Sequence, residues 1–174
     1  QYRLHCTVLG PLRCSPPRVR TAGHGAEDGK GNHYFIPGDF NFSKEPPNFR
    51  REAVAQKAFL DEIQAKTPLV AIAMLDCCRE KVAGARAAFN GLQGMASLVQ
   101  PQGMLVMHAT QAGGLAKDVG SKGEHGQFTE VLLEKLATPG LDLMSLAQQV
   151  LEGVKERTHG GQIPHIDSGD FVTG

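Results

Sequence analysis

An α/β fold, with a mostly parallel sheet flanked by helices, follows from three features of this sequence. Leu69 to Leu75 is an unbroken apolar run of strand length, opened by Pro68 and closed by Asp76. Met104 to Thr110 is a second such run, interrupted only by His108. Strands apolar on both faces are what a parallel sheet covered by helices requires. The third feature is helical periodicity around these runs: a helix that feeds a buried strand is half of a βαβ unit.

The first run organises the rest. Asp76, Cys77, Cys78 and Arg79 follow it directly. In open α/β sheets the carboxyl ends of the strands are where ligand sites sit. An acid, two thiols and a guanidinium there suit chemistry, and they equally suit a buried strand that ends in a polar loop with inert cysteines.

The elements can be taken in order. Residues 1–20 carry Gly10, Pro11, Pro16 and Pro17 and four arginines, and they are expected to be an irregular segment. In the segment after it, His24 stands between Gly23 and Gly25, where the backbone can turn sharply and approach a ligand closely. It can also be an ordinary loop residue. Asn32 to Pro37 reads as a short extended piece ending in a turn at Pro37-Gly38-Asp39. A polar loop through Pro46-Pro47 leads to an amphipathic helix over 51–66, with Val54, Ala55, Ala58, Phe59 and Ile63 on one side. After the Leu69–Leu75 strand, residues 80–103 are rich in Gly, Ala and Gln and read as a long loop with short helical turns. His108 has the character of a satisfied core or sheet-end histidine. Phe128 to Leu136 has helical spacing and stops before Pro139-Gly140. A second helix of about four turns is marked by Leu143, Leu146, Ala147, Val150, Leu151 and Val154, ending near His159-Gly160-Gly161. Gln162 to Val172 supplies a final edge strand, since Pro164 is tolerated only near an edge.

The totals bound the function. At 174 residues the chain is long enough for one domain with a single core. Lys+Arg and Asp+Glu both number 18, so no global field points to nucleic acid or to an anionic membrane. No apolar run approaches the roughly 18 residues that span a bilayer. Cys6, Cys14, Cys77 and Cys78 match no disulfide framework and no zinc spacing, which favours a reducing, cytoplasmic compartment. A metal site drawn from His24, Cys77, Cys78 and His108 lacks ligand spacing. The chain opens on Gln1 rather than Met and reads as part of a longer or processed product.

Two signals combine. His24 precedes Cys78 by 54 residues, and a histidine about 50 residues upstream of a nucleophilic cysteine is a caspase arrangement. The ordered set Ala22-Gly23-His24-Gly25, Tyr34-Phe35-Ile36-Pro37-Gly38-Asp39, Leu75-Asp76-Cys77-Cys78-Arg79, Gly113 to Asp118, Gly126-Gln127-Phe128-Thr129 and Gly160-Gly161-Gln162 resembles the caspase-like cysteine peptidases, in their metacaspase, paracaspase and bacterial-type branch. The likeness runs over about residues 21–172. It implies a three-layer sandwich, with the domain over 21–174, residues 1–20 atypical, and amino-terminal strands of the family missing.

By resemblance, Cys78 rather than Cys77 is the nucleophile, His24 its acid-base partner, and Gly25 lines the oxyanion site. Asp76 and Asp118 are implied as substrate-binding carboxylates that select Arg or Lys before the scissile bond. The implied activity is that of a cysteine endopeptidase acting on protein or peptide substrates, with no cofactor. Some relatives need calcium, but no acidic cluster here suggests a site. The rival reading is a catalytically silent scaffold of the same fold. Self-association, or completion by a missing amino-terminal segment, would cover the sheet edge that the absent strands leave.

Overall fold

The computed structural model describes residues 4–7, 18–28, 31–37, 53–65, 71–81, 104–120, 123 and 125–168. In chain order the elements are β1 (Leu4–Thr7), β2 (Arg18–Glu27), β3 (His33–Ile36), β4 (Val54–Ala55), α1 (Gln56–Gln64), β5 (Ala71–Cys77), β6 (Glu80–Lys81), β7 (Met104–His108), α2 (Gln127–Leu136), α3 (Leu143–Arg157) and β8 (His165–Asp167). The strands form one sheet in the order β4-β3-β2-β1-β5-β7-β8, with β6 paired to β2.

The sheet is mixed, with a parallel heart. β5 pairs parallel with β7 from Ala71↔Met104 to Leu75↔His108, and β2 pairs parallel with β5 at Ala22↔Asp76 and Gly23↔Cys77. Antiparallel partners flank this heart: β3 on β2, β4 on β3, and β8 on β7. The expectation of a mostly parallel sheet therefore holds for the strands that carry the apolar runs. β1, β3, β4 and β8 pair antiparallel instead, as short connections and hairpins allow, while β6 joins β2 in parallel.

Alternation along β5 and β7 builds two cores. Ala71, Ala73, Leu75 and Cys77 share one face with Met104 and Val106, where they meet Phe35 and α1 through Leu60 and Ile63. Phe59 of α1 closes this side with an edge-on contact to Phe35, ring centroids 5.7 Å apart. Ile72, Leu105 and Met107 point the other way, against Phe128, Val131 and Leu132 of α2 and Leu146, Ala147, Val150 and Val154 of α3. One helix on one face and two on the other make three layers.

Several boundaries differ from the sequence reading. Residues 1–20 are expected to be irregular, yet β1 occupies Leu4–Thr7 and β2 begins at Arg18, running unbroken through position 20. β1 lies antiparallel to β2 from Leu4↔Thr21 to Thr7↔Arg18 and touches β5 at Thr7↔Ile72. Strand formation depends more on available pairing than on intrinsic preference, so arginines do not prevent it. The other residues of this segment lie outside those described. The first helix is shorter than its pattern, because Val54 and Ala55 pair with β3 before α1 starts. β5 runs on through Asp76 and Cys77. Of the long loop expected over 80–103, only Glu80–Lys81 is among the described residues, as β6. The two later helices and the edge strand stand where expected, α3 being capped by Asp142, whose carboxylate accepts from the amides of Met144 and Ser145 at 2.9 Å. Among the described residues no helix is long and apolar enough to cross a membrane.

Candidate active site

The two residues implied as catalytic come from adjacent parallel strands. The β2–β5 register ends at Gly23↔Cys77, so one step further along stand His24 and Cys78, at the carboxyl end of the parallel strands. His24 is not in a loop, as its glycines suggest. It lies within β2 and pairs with Ile36 of β3, and its side chain is exposed.

The glycine after it has a definite task. A Cβ on Gly25 would stand 2.1 Å from the backbone oxygen of Cys78 and 3.1 Å from the Cys77 sulfur. Only a residue without a side chain lets β2 close against the Cys77–Cys78 backbone.

Strand alternation separates the two thiols. Cys77 points into the α1 side of the core with 6% of its surface exposed. Burial, reinforced by the neighbouring Asp76 carboxylate, pushes its thiol up to about 12. Such a group stays protonated at neutral pH. Cys78 emerges on the opposite side, partly exposed. Its Sγ accepts from the Ala116 amide at 3.3 Å and lies 3.4 Å from the Ala116 carbonyl oxygen, toward which the thiol donates. Neither cysteine is in a disulfide.

The loop that meets Cys78 is held from behind. Gln162, fully buried, accepts from the Lys117 amide through Oε1 at 3.0 Å and donates through Nε2 to the Ala109 carbonyl at 2.9 Å. Its own amide donates to Thr158 Oγ1 at 3.0 Å. The backbone of Arg79 joins the same loop, its N–H donating to Gly114 and its carbonyl accepting from Gly113.

Asp76 shares a strand face with Cys78, two residues away. Its carboxylate accepts from the hydroxyl of Thr129, in the first turn of α2. Burial raises its carboxyl above the ordinary range, and the nearby Asp118 carboxylate raises it further, whereas Thr129 and His125 oppose this. Asp118, whose charge reaches Asp76, is itself exposed.

A buried polar group lies beside the site. The Arg79 guanidinium contacts His33 Nε2 at 2.9 Å. His108 Nε2 meets Asp167 Oδ2 at 2.9 Å, and His165 meets the other oxygen at 3.0 Å. Desolvation holds His33 down to about 3 and His108 down to about 4, so both rings are neutral at neutral pH. His108 stands at the sheet end as its sequence suggests, but it is only half satisfied: Nε2 meets Asp167, whereas Nδ1 is buried without a hydrogen-bond partner. Among the described residues, no group of three or more His, Cys, Asp or Glu could hold a metal ion.

No pattern in the sequence gives a role to Thr129, Ala116 or Gln162. Thr129 and Gln162 lie in stretches that carry the family likeness, but only their contacts reveal what they hold. Ala116 acts through its backbone, which no side-chain pattern encodes.

A family model described as the caspase domain matches residues 19–172. No curated protein matches this chain.

Proposed function

Because this chain belongs to the caspase-domain family of cysteine peptidases, we propose that it is an endopeptidase in which Cys78 is the nucleophile, His24 the acid-base partner, and Asp76 with Asp118 the receptor for a basic substrate residue. The observation that carries this reading is the parallel register that ends at Gly23↔Cys77. It makes His24 and Cys78 the next residues abreast, while the other thiol is buried and protonated.

The chemistry follows. A free thiol near pKa 8.5 is only a few per cent thiolate at pH 7. His24 takes the Cys78 proton as the sulfur attacks the carbonyl carbon of the scissile bond. The electron pair of the C=O moves to oxygen, and the backbone N–H groups of Gly25 and Cys78 stabilise the resulting oxyanion. Each such donor is worth roughly 3 kcal/mol. Collapse of the tetrahedral intermediate breaks the C–N bond, and the leaving amine takes the proton from His24. Water, deprotonated by the same imidazole, then hydrolyses the thioester and restores the thiol.

Specificity for Arg or Lys is assigned to Asp76, two residues before Cys78 on β5, together with Asp118, whose charge reaches Asp76. A substrate Asp meets like charge there, whereas a guanidinium forms paired, charge-assisted hydrogen bonds. The test is a peptidyl acyloxymethyl ketone ending in Arg, mapped to the residue it modifies, alongside matched peptides ending in Arg, Lys or Asp. Labelling at Cys78 with cleavage after Arg and Lys is expected. A folded protein that takes no label is a scaffold, and faster cleavage after Asp overturns the receptor assignment.

A further inference from the structure

α2 begins without a side-chain cap of its own: its N-cap is Gly126, which has none to offer. The missing acceptor comes from another element. Asp76, on β5, accepts from the Thr129 hydroxyl, and the Thr129 backbone amide also favours its ionised form. Thr129 is the third residue of α2, the place where a capping side chain finds its orphan amide. Gly126 makes room for this arrangement. A Cβ there would lie 3.2 Å from Asp76 Oδ2 and 2.8 Å from the Lys117 carbonyl oxygen. Thr129 of α2 therefore holds the carboxylate through its hydroxyl, at a helix end whose dipole favours negative charge.

We propose that Thr129 is a positioning residue for substrate specificity, fixing the plane of the Asp76 carboxylate so that it receives a guanidinium in preference to an ammonium. This rests on the reading of Asp76 as the receptor for the basic substrate residue. The physical reason is a difference in geometry between the two cations. A guanidinium is a planar fork that gains its paired hydrogen bonds only against a carboxylate of fixed orientation. An ammonium is a compact point charge with rotatable donors and tolerates a carboxylate that turns. The hydrogen bond from Thr129 and the close approach of Gly126 to the same carboxylate oxygen suppress that turning.

The Thr129 hydroxyl also favours the ionised carboxyl, opposing the burial and the Asp118 charge that raise it, as His125 does. Cys77, next along β5, is uncharged and adds no competing field.

The experiment compares wild type with Thr129→Val, Thr129→Ser and Asp76→Ala in the full-length protein, on matched peptides ending in Arg or Lys. Thr129→Val is expected to lower kcat/KM for the Arg peptide by roughly tenfold or more, chiefly through KM. The Lys peptide should lose much less, so the Arg-to-Lys ratio falls. The acid limb of the Arg profile should move to higher pH. Thr129→Ser, which keeps the hydroxyl, should restore all three. If Thr129→Val does not fold, Thr129→Ala is read in its place. An unchanged Arg-to-Lys ratio in a folded variant overturns the proposal while leaving the receptor intact, provided Asp76→Ala abolishes preference for basic residues. If Asp76→Ala leaves that preference unchanged, the receptor reading itself is wrong, and the role of Thr129 falls with it.

Discussion

Replacing Gly25 with alanine should disable the site without unfolding the protein. The added Cβ would lie 2.1 Å from the Cys78 carbonyl oxygen, 3.1 Å from the Cys77 sulfur and 3.2 Å from its Cβ. Ordinary contact starts near 3.4 Å, so β2 and the Cys78 backbone must separate by more than 1 Å. No flexible side chain can absorb the shift, since the nearest obstacle is main chain. β2 is also held from its other side, by β3 at His24↔Ile36 and Gly25↔Phe35. The displacement therefore falls on the spacing between His24 and Cys78. A misplacement of about 1 Å costs on the order of a hundredfold in rate, while overpacking costs roughly 1–3 kcal/mol in stability. The assay pairs kcat/KM on an Arg peptide with a urea unfolding curve. Gly140→Ala serves as the control. Gly140 has φ 78° in the turn between α2 and α3, and a Cβ there would meet nothing within 4 Å, so it costs stability through backbone strain alone. The expected result is a loss near a hundredfold in Gly25→Ala and wild-type turnover in Gly140→Ala. Full activity in Gly25→Ala, or an equal loss in both, would refute the argument from close approach.

Other outcomes follow from the same geometry. Cys78→Ala and His24→Ala should each abolish turnover, because a nucleophile and its base act as a unit. Cys77→Ser should keep its activity yet lose about 1–3 kcal/mol of stability, since a hydroxyl replaces a thiol in an apolar site; an inactive Cys77→Ser beside an active Cys78→Ala would reverse the assignment. Gln162→Leu fills a similar volume but leaves the Lys117 amide and the Ala109 carbonyl without their partner. It should cost about 1–3 kcal/mol and reduce activity by loosening the loop at Cys78, and thermal unfolding with kinetics will show whether both effects appear. Stability should also fall as the solution is acidified. His33 and His108 are held neutral in the fold, down to about 3 and about 4, against 6.5 when unfolded. Their contribution is therefore complete above pH 6.5 and is lost as pH drops from there toward 4, at roughly 1.4 kcal/mol per pH unit for each ring. A urea midpoint that stays constant from pH 7.5 to 5 would exclude this.

Much of this protein is legible without coordinates because its signals are local. The runs over 69–75 and 104–110 are apolar for seven residues or nearly so, and burial on both faces leaves them few alternatives to a covered sheet. The helices over 127–136 and 143–157 show in their periodicity. The histidine and the cysteines are visible by type and spacing. What spacing cannot convey is which strands become neighbours, and here that decides the chemistry. A strand now begins at Arg18, in a stretch whose prolines and arginines suggest none, because β1 and β5 offer it partners. Its register against β5 brings residue 24 abreast of residue 78, though they are far apart in the chain. Period-two alternation then turns Cys77 toward α1 and Asp76 and Cys78 toward the side of α2 and α3, once the covered faces of the sheet are known. The ties made by Thr129 and Gln162 join residues 53 positions apart in sequence. Such contacts exist only after the helices and the edge strand have packed onto the sheet, so no local pattern encodes them.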